Sequence, residues 1–287
     1  MIYLILGVFC SAAMSVVLKI FSESKGNRFG IILGNYLTCI VLAFCFLPDK
    51  AAVLRFPAAP LLWGALGGCF YVGGIVTMQS SILKNGAAVT AAFAKLGLVA
   101  AVGVSLLFGE KPGVLQLVGI VLAVAAAVFM QTGQKAETGK TGKRLGAGAL
   151  LLFFVWATGG GGEAMAKVFD ELGRDADKPL YLFYLFSTAA LLSGIFAVVE
   201  GKRTGKKLLP KEALSGVAVG AANYLSSFFL LLSLNTLPGT LSYPVYSGGA
   251  ILVVTLVSVL FFREKPTVRQ YIGLAGILVS LVLLNLP

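Results

Sequence analysis

The sequence predicts an all-α integral membrane protein whose ten transmembrane helices form two inverted five-helix repeats. Three observations predict it. The chain of 287 residues is 58% hydrophobic and only 12% charged, against about 25% charged in an average soluble domain, and its mean hydropathy is +0.92. A water-soluble core could not bury that much apolar surface. Apolar runs of about 17 to 25 residues, the length a helix needs to cross a bilayer, recur ten times. Finally, Phe108-Gly109-Glu110-Lys111-Pro112-Gly113-Val114-Leu115-Gln116 returns as Phe262-Arg263-Glu264-Lys265-Pro266-Thr267-Val268-Arg269-Gln270, with six of nine residues identical, and Gly119 returns as Gly273 at the same offset. Each copy closes one apolar run and opens another, so each half holds five runs. An odd number inserts the second copy upside down relative to the first.

The first run, 2–21, has no basic segment before it and is long enough to span, so it reads as a membrane helix and not as a cleavable leader. Cutting at charges, prolines and glycines gives 29–47, 58–82, 86–109 and 113–132 for the rest of the first repeat, residues 1–132. The polar stretch 133–144, rich in Lys, Thr and Gly, is the connecting loop. The second repeat, 145–287, holds runs at 145–169, 179–199, 211–235, 239–262 and 267–286. Asn85-Gly86 and Pro238-Gly239 leave very short loops, so the helices flanking each should form antiparallel hairpins. Four consecutive glycines, Gly159 to Gly162, weaken a helix by roughly 1 kcal/mol each relative to Ala. The sixth span is expected to bend or unwind there. Cys10, Cys39, Cys45 and Cys69 lie inside apolar runs without metal-ligand spacing and read as small packing residues.

The net charge of +11 does not point to nucleic acid, because Lys and Arg sit in short gaps between apolar runs, as membrane-flanking charges do. Sixteen of them fall in the odd-numbered loops and five in the even-numbered ones. By the positive-inside rule the 133–144 loop is expected in the cytoplasm and both termini outside.

Ten spans in two five-span halves, with Gly109-Glu110 and Arg263-Glu264 ending the fourth and ninth spans, Gly119 and Gly273 in the fifth and tenth, and Trp156 midway along the sixth, resemble the drug/metabolite transporter superfamily, specifically its EamA type. The resemblance covers the whole chain. It implies a basket of helices from both repeats around a central cavity for a small solute, and it does not name the solute. A mid-helix proline is common in the family's fourth and ninth spans; here the ninth has Pro244, but the fourth carries Lys95 instead.

Lys95 is the strongest single signal. It lies nine residues from Gly86, about 13 Å along a helix, close to mid-bilayer, where an ammonium costs about 2.5–3.5 kcal/mol and marks a functional site by default. It would neutralise a carboxylate or phosphate of the solute, or change protonation as the cavity opens and closes; the alternative is a structural lysine bonded to helix carbonyls or to Glu163. Glu163, following the glycine run, can carry a proton if partly desolvated, or else pair with Lys167 one turn away. Asn35, Tyr36, Tyr71, Gln79, Asn223, Tyr224, Tyr243, Tyr246 and Ser247 form a more diffuse polar and aromatic set. Such residues suit the wall of a cavity for a small organic solute, and tyrosines near span ends can instead anchor at the interface. Tyr71 and Tyr224 occupy matching places in the third and eighth spans and should face equivalent directions. Glu110 and Glu264 read as helix-end residues, each followed by a proline able to occupy a first turn.

The function these readings support is secondary active transport of a small polar or amphipathic metabolite, anionic or zwitterionic, by alternating access. The expected partners are that solute, a coupling ion (proton or counter-substrate), the lipid bilayer, and in a homodimer a second copy; nucleic acid, metal and cofactor are not among them. The expected location is a cell membrane, the bacterial plasma membrane. A non-transporting scaffold or a subunit of a hetero-oligomer is the alternative. An intramembrane enzyme is disfavoured, since the chain has no His, no paired metal-ligand spacing and no pair of carboxylates within the spans.

Overall fold

A computed structural model describes residues 1–20, 28–85, 90, 93–94, 96–132, 145–205, 210–262 and 267–286. The α-helices whose bounds lie in these residues are α1 (Ile2–Ile20), α2 (Arg28–Cys45), α3 (Ala58–Asn85), α4 (Leu98–Leu107), α5 (Val114–Thr132), α6 (Leu145–Leu172), α7 (Lys178–Thr204), α8 (Pro210–Ser233), α9 (Gly239–Phe261) and α10 (Val268–Leu284). No strand occurs among the described residues. Five of the helices, Ala58–Asn85, Gly148–Leu172, Asp175–Thr204, Leu214–Ser233 and Gly239–Phe261, are long and apolar enough to cross a membrane, and five shorter ones are also apolar. Mid-helix residues such as Val41, Val121, Leu191 and Leu256 are 60% exposed or more. A surface that apolar is matched to lipid, where every backbone group must be satisfied within its own helix.

The chain packs as two compact units, Met1–Val72 with Val168–Thr236, and Gly73–Lys167 with Leu237–Pro287. Each draws on both halves of the sequence. In the first unit, α8 packs along α1 and α2, and α2 packs along α7. The contacts are made by glycines four residues apart: a Cβ at Gly216 would stand 2.7 Å from Gly34 Cα, and one at Gly220 would strike Asn35 O. Gly64 and Gly68 of α3 are pressed in the same way against the α7 backbone at Tyr181 and Leu185. Without a hydrophobic drive between helices in lipid, close backbone approach is a main source of their association.

In the second unit α5 packs along α10, and α9 packs on α4, α5 and α10. Gly119 of α5 lies against Ser280 and Leu284 of α10, and Gly276 of α10 against Ala126 of α5. The repeated motif builds the same start for both of these helices. Gln116 Oε1 accepts the Gly113 N–H at 3.1 Å, and Gln270 Oε1 accepts the Thr267 N–H at 2.7 Å, completed by Thr267 into a capping box. The identical Gln at the end of each copy thus does identical work.

The glycine run departs from expectation. α6 is helical without interruption from Leu145 to Leu172, because Gly160 faces Gly97: a Cβ there would collide with Gly97 O and stand 2.8 Å from Ala100 Cβ. Tertiary contact offsets the weak intrinsic propensity. The irregularity lies instead before α4, where Gly97 N–H bonds to Ala94 O three residues back, and Trp156 of α6 donates its indole N–H to Leu96 O at 3.1 Å.

Candidate functional site

In the first unit an amide pair lies where α2 crosses α8. Asn223 Nδ2 donates to Asn35 Oδ1 at 3.1 Å, and the Cys39 thiol donates to Gly220 O at 3.3 Å. Gly220 places the two helices close enough for the bond to form. Asn35 is 7% and Asn223 9% exposed, and the Nδ2 of the one and Oδ1 of the other have no hydrogen-bond partner among the described residues. Aromatic rings adjoin the pair. Phe186 of α7 has Tyr36 at 6.2 Å, Tyr224 at 6.2 Å and Tyr71 edge-on at 6.3 Å between ring centroids, and Tyr224 stacks in turn on Phe46 and Phe228. Tyr71 and Tyr224 thus converge on one ring. The cluster contains no charged side chain, so its chemistry is that of amides and π faces, suited to a neutral polar or aromatic group.

In the second unit the motif carboxylate serves a helix N-terminus, but that of a distant helix and not of its own successor. Gly109, at φ +93°, follows α4 in the left-handed region that glycine takes without strain. The Gly109 N–H bonds to Leu106 O and the Glu110 N–H to Ser105 O, a Schellman end that turns the chain sharply. Glu110 then reaches away from its own succeeding helix to the start of α9. Its Oε1 accepts the Gly239 N–H and its Oε2 the Thr240 N–H, each at 2.8 Å, and Lys167 Nζ of α6 stands 2.8 Å from Oε1. The positive end of α9 and the ammonium both favour the carboxylate. One turn along, the Tyr243 hydroxyl donates to Glu163 O at 3.1 Å.

Burial alone raises the Glu110 pKa, but the bonds from Lys167, Thr240 and Gly239 outweigh it and the net shift is downward from 4.5. The groups facing it are Lys167 from α6 and the Gly239 and Thr240 amides with the Thr240 hydroxyl from α9. A depressed carboxylate adds stability that is complete above its unfolded pKa and is lost as pH falls through the folded one. Thermal unfolding followed from about pH 5 downward should therefore show an acid-side loss that is smaller in Glu110→Gln. Equal acid sensitivity in the two proteins would contradict the assignment.

Lys178, 2% exposed, centres a second polar knot in the first unit. Its Nζ lies 2.6 Å from Asp170 Oδ1, 2.9 Å from Asp175 Oδ1 and 3.4 Å from Leu231 O, and it also bonds to Asn235 Oδ1. This ties the α6–α7 turn to the end of α8. Its chemistry is structural, since every acceptor around the ammonium is supplied by the chain.

The predicted site residues divide between the units. Asn35, Tyr36, Tyr71, Asn223 and Tyr224 come together in the first, as described. In the second, Tyr243 and Glu163 meet through the backbone oxygen of Glu163; Gln79, Tyr246 and Ser247 are half-buried on α3 and α9. Lys95 and Glu264 lie outside the described residues. Tyr224 and Tyr243 are fully buried, so in this conformation they are wall supports more than wall surface. Sequence reading missed Phe186, the hub of the aromatic cluster, and the pairing of Lys167 with Glu110. Nothing in the sequence marks Phe186 among 20 phenylalanines. A groove of about 650 Å³ in the second unit is lined by Leu96, Val99, Ile120, Val121, Val124, Ala125, Val128 and Phe129. With no polar group to orient a polar solute, it fits apolar matter only.

The relatives of this helical chain with a lipid-matched surface are membrane transporters. The EamA-like transporter family matches residues 146–286. Multidrug resistance protein EbrA of Bacillus subtilis (strain 168) is 34% identical over 105 residues, which is 36% of this chain and 96% of that protein. An uncharacterized protein of Haemophilus influenzae is 24% identical over 286 residues, covering 94% of this chain and 93% of its own. A solved crystal structure shares the fold at a TM-score of 0.71 and 16% identity, over 99% of this chain and 95% of that one. The chain belongs to the EamA-like transporter family of the drug/metabolite transporter superfamily.

Proposed function

We infer that the protein is a secondary active transporter that moves a small polar or amphipathic metabolite across a cell membrane by alternating access, with ten spans in two inverted five-helix repeats. The observation that carries this reading is the Asn35–Asn223 amide pair beside the Phe186-centred aromatic cluster, because it joins a helix of the first repeat to one of the second and keeps a donor and an acceptor unused. Two amides and π faces orient a solute without fixing its charge. Lys95, mid-span by sequence, supplies the contact for an anionic group, and Glu163 the carrier for a coupling proton. The name of the EbrA relatives, multidrug resistance, is in keeping with a small organic solute. The Lys and Arg bias puts the 133–144 loop in the cytoplasm.

The reading is tested by thermal unfolding of purified protein against amino acids, sugars, nucleosides, phosphorylated metabolites and organic cations, followed by uptake of each hit into proteoliposomes. A ligand at 100 times its dissociation constant should stabilise by about 2.7 kcal/mol. Asn223→Leu should remove most of the ligand-induced shift, while its effect on stability stays near the 0.6–2 kcal/mol of an interhelical polar bond in a membrane. Lys95→Met should keep the fold and abolish uptake of an anionic hit, and Lys95→Arg should recover only part of it, because a planar fork does not replace a compact ammonium. Uptake at the parent rate in stable Asn223→Leu and Lys95→Met proteins would remove the site; no uptake of any hit by the parent would remove transport itself.

A further inference from the structure

Glu110 connects elements from both halves of the sequence. The turn that carries it closes α4 in the first repeat, while Lys167 on α6 and the Gly239 and Thr240 amides on α9 belong to the second. Lys167 is 3% and Glu110 14% exposed on the side chain. The contact is therefore a buried, charge-assisted clasp at helix ends. One turn deeper along α6 and α9, the bond from the Tyr243 hydroxyl to Glu163 O continues the stitching. Beneath the clasp lies Ser105, in the last turn of α4. A Cβ on Gly239 would strike its hydroxyl oxygen, and that oxygen is fully buried with no hydrogen-bond partner.

A joint that never opens does not need this chemistry. Buried ion pairs contribute little net stability against well-packed apolar groups of the same volume, because desolvation offsets most of the attraction. Their distinguishing property is that both partners recover hydration when they separate, so the open and closed states lie closer in free energy than those of an apolar contact. In alternating access one repeat or bundle rocks or gates against the other, and some of the contacts that join their elements on the opening face break. A discrete set of charge-assisted bonds breaks as a unit.

We propose that the Glu110–Lys167–α9 clasp is a gate contact: closed as in this structure it keeps water from Ser105, and it releases when its face of the protein opens. This rests on the alternating-access reading above. It assigns the motif carboxylate a part in the transport cycle beyond ending a helix.

The test is a labelling rate that needs no solute. In a background with Cys10, Cys39, Cys45 and Cys69 replaced, Ser105→Cys is reacted with a small methanethiosulfonate in proteoliposomes. A parallel Ser193→Cys reports on α7, where the native hydroxyl is equally buried and unpartnered. Glu110→Gln and Lys167→Met should each raise the Ser105→Cys rate about tenfold, as removal of about 1.4 kcal/mol from the closed state does, and leave the Ser193→Cys rate unchanged. The exchange of Glu110→Lys with Lys167→Glu should not restore protection, since a lysine then faces the positive end of α9. Equal Ser105→Cys rates in parent and both single variants would overturn the proposal, as would a matching rise at Ser193→Cys, which would signify general loosening. Uptake is read in the same vesicles: a parent that takes up no solute while the labelling rates respond as expected overturns the transport reading and supports the clasp as an opening contact.

Discussion

Lys178→Met lowers the unfolding free energy by about 3–5 kcal/mol, the cost of leaving one partner of a buried ion pair without its counter-charge. The ammonium is 3% exposed on its side chain and Asp170 8%, while Asp175 is 72% exposed. Of the two carboxylates, Asp175 can turn to water when the lysine is lost and Asp170 cannot. The carbonyl of buried Leu231 loses a donor at the same moment, and an orphaned buried acceptor costs about 1–3 kcal/mol, while Asn235 is exposed and its amide can turn to water. Adding Asp170→Asn to Lys178→Met should recover a large part of the loss, because the double variant buries no net charge. Equilibrium unfolding in detergent measures both. A loss below about 1 kcal/mol for the single variant would mean that Asp170 is hydrated in solution and that the knot is a surface feature.

Helix positions were legible from hydropathy because lipid imposes one rule along the whole chain: any segment that crosses must be apolar for about 20 residues and must satisfy its backbone internally. Predicted runs at 2–21, 113–132, 239–262 and 267–286 meet α1, α5, α9 and α10 within a few residues. The pairing of charges was not legible. Lys167 sits one turn from Glu163, and pairing there was one of two readings; its ammonium meets Glu110, 57 residues away in the chain, because Gly109 turns the carboxylate back toward α9. A hint did exist. Glu110 precedes Pro112 and α5 starts only at Val114, so its carboxylate was poorly placed to serve its own succeeding helix. Lys178 has Asp170, Asp175 and Asp177 within eight residues. That acidic surplus around one lysine was the available sign of a buried knot. Tyr71 and Tyr224 both stand out in the sequence as site residues, but nothing in the sequence says that Phe186 is the ring they share.

The glycine run supplies the other large effect, and neighbouring positions should respond in opposite directions. At Gly160 an added Cβ would collide with Gly97 O and stand 2.9 Å from Gly97 C. Both are backbone atoms, which no rotamer change moves aside. Gly160→Ala therefore has to push α6 away from the 97–100 segment, straining or breaking the Trp156 to Leu96 bond that lies one turn along. Overpacking of this kind costs about 1–3 kcal/mol, and Gly160→Leu should exceed that and fail to fold. At Gly159 the nearest atom to an added Cβ is Ala94 O at 3.5 Å, an ordinary contact. Gly159→Ala should then gain the intrinsic preference of alanine for a helix, up to about 1 kcal/mol, and unfold at a higher temperature than the parent. Thermal unfolding of the two single-alanine proteins decides between close packing and a designed weak point. If the run were a hinge that unwinds, both substitutions would stiffen it and both would stabilise. If it is the seat of the 97–100 segment, as the geometry has it, only Gly159→Ala will.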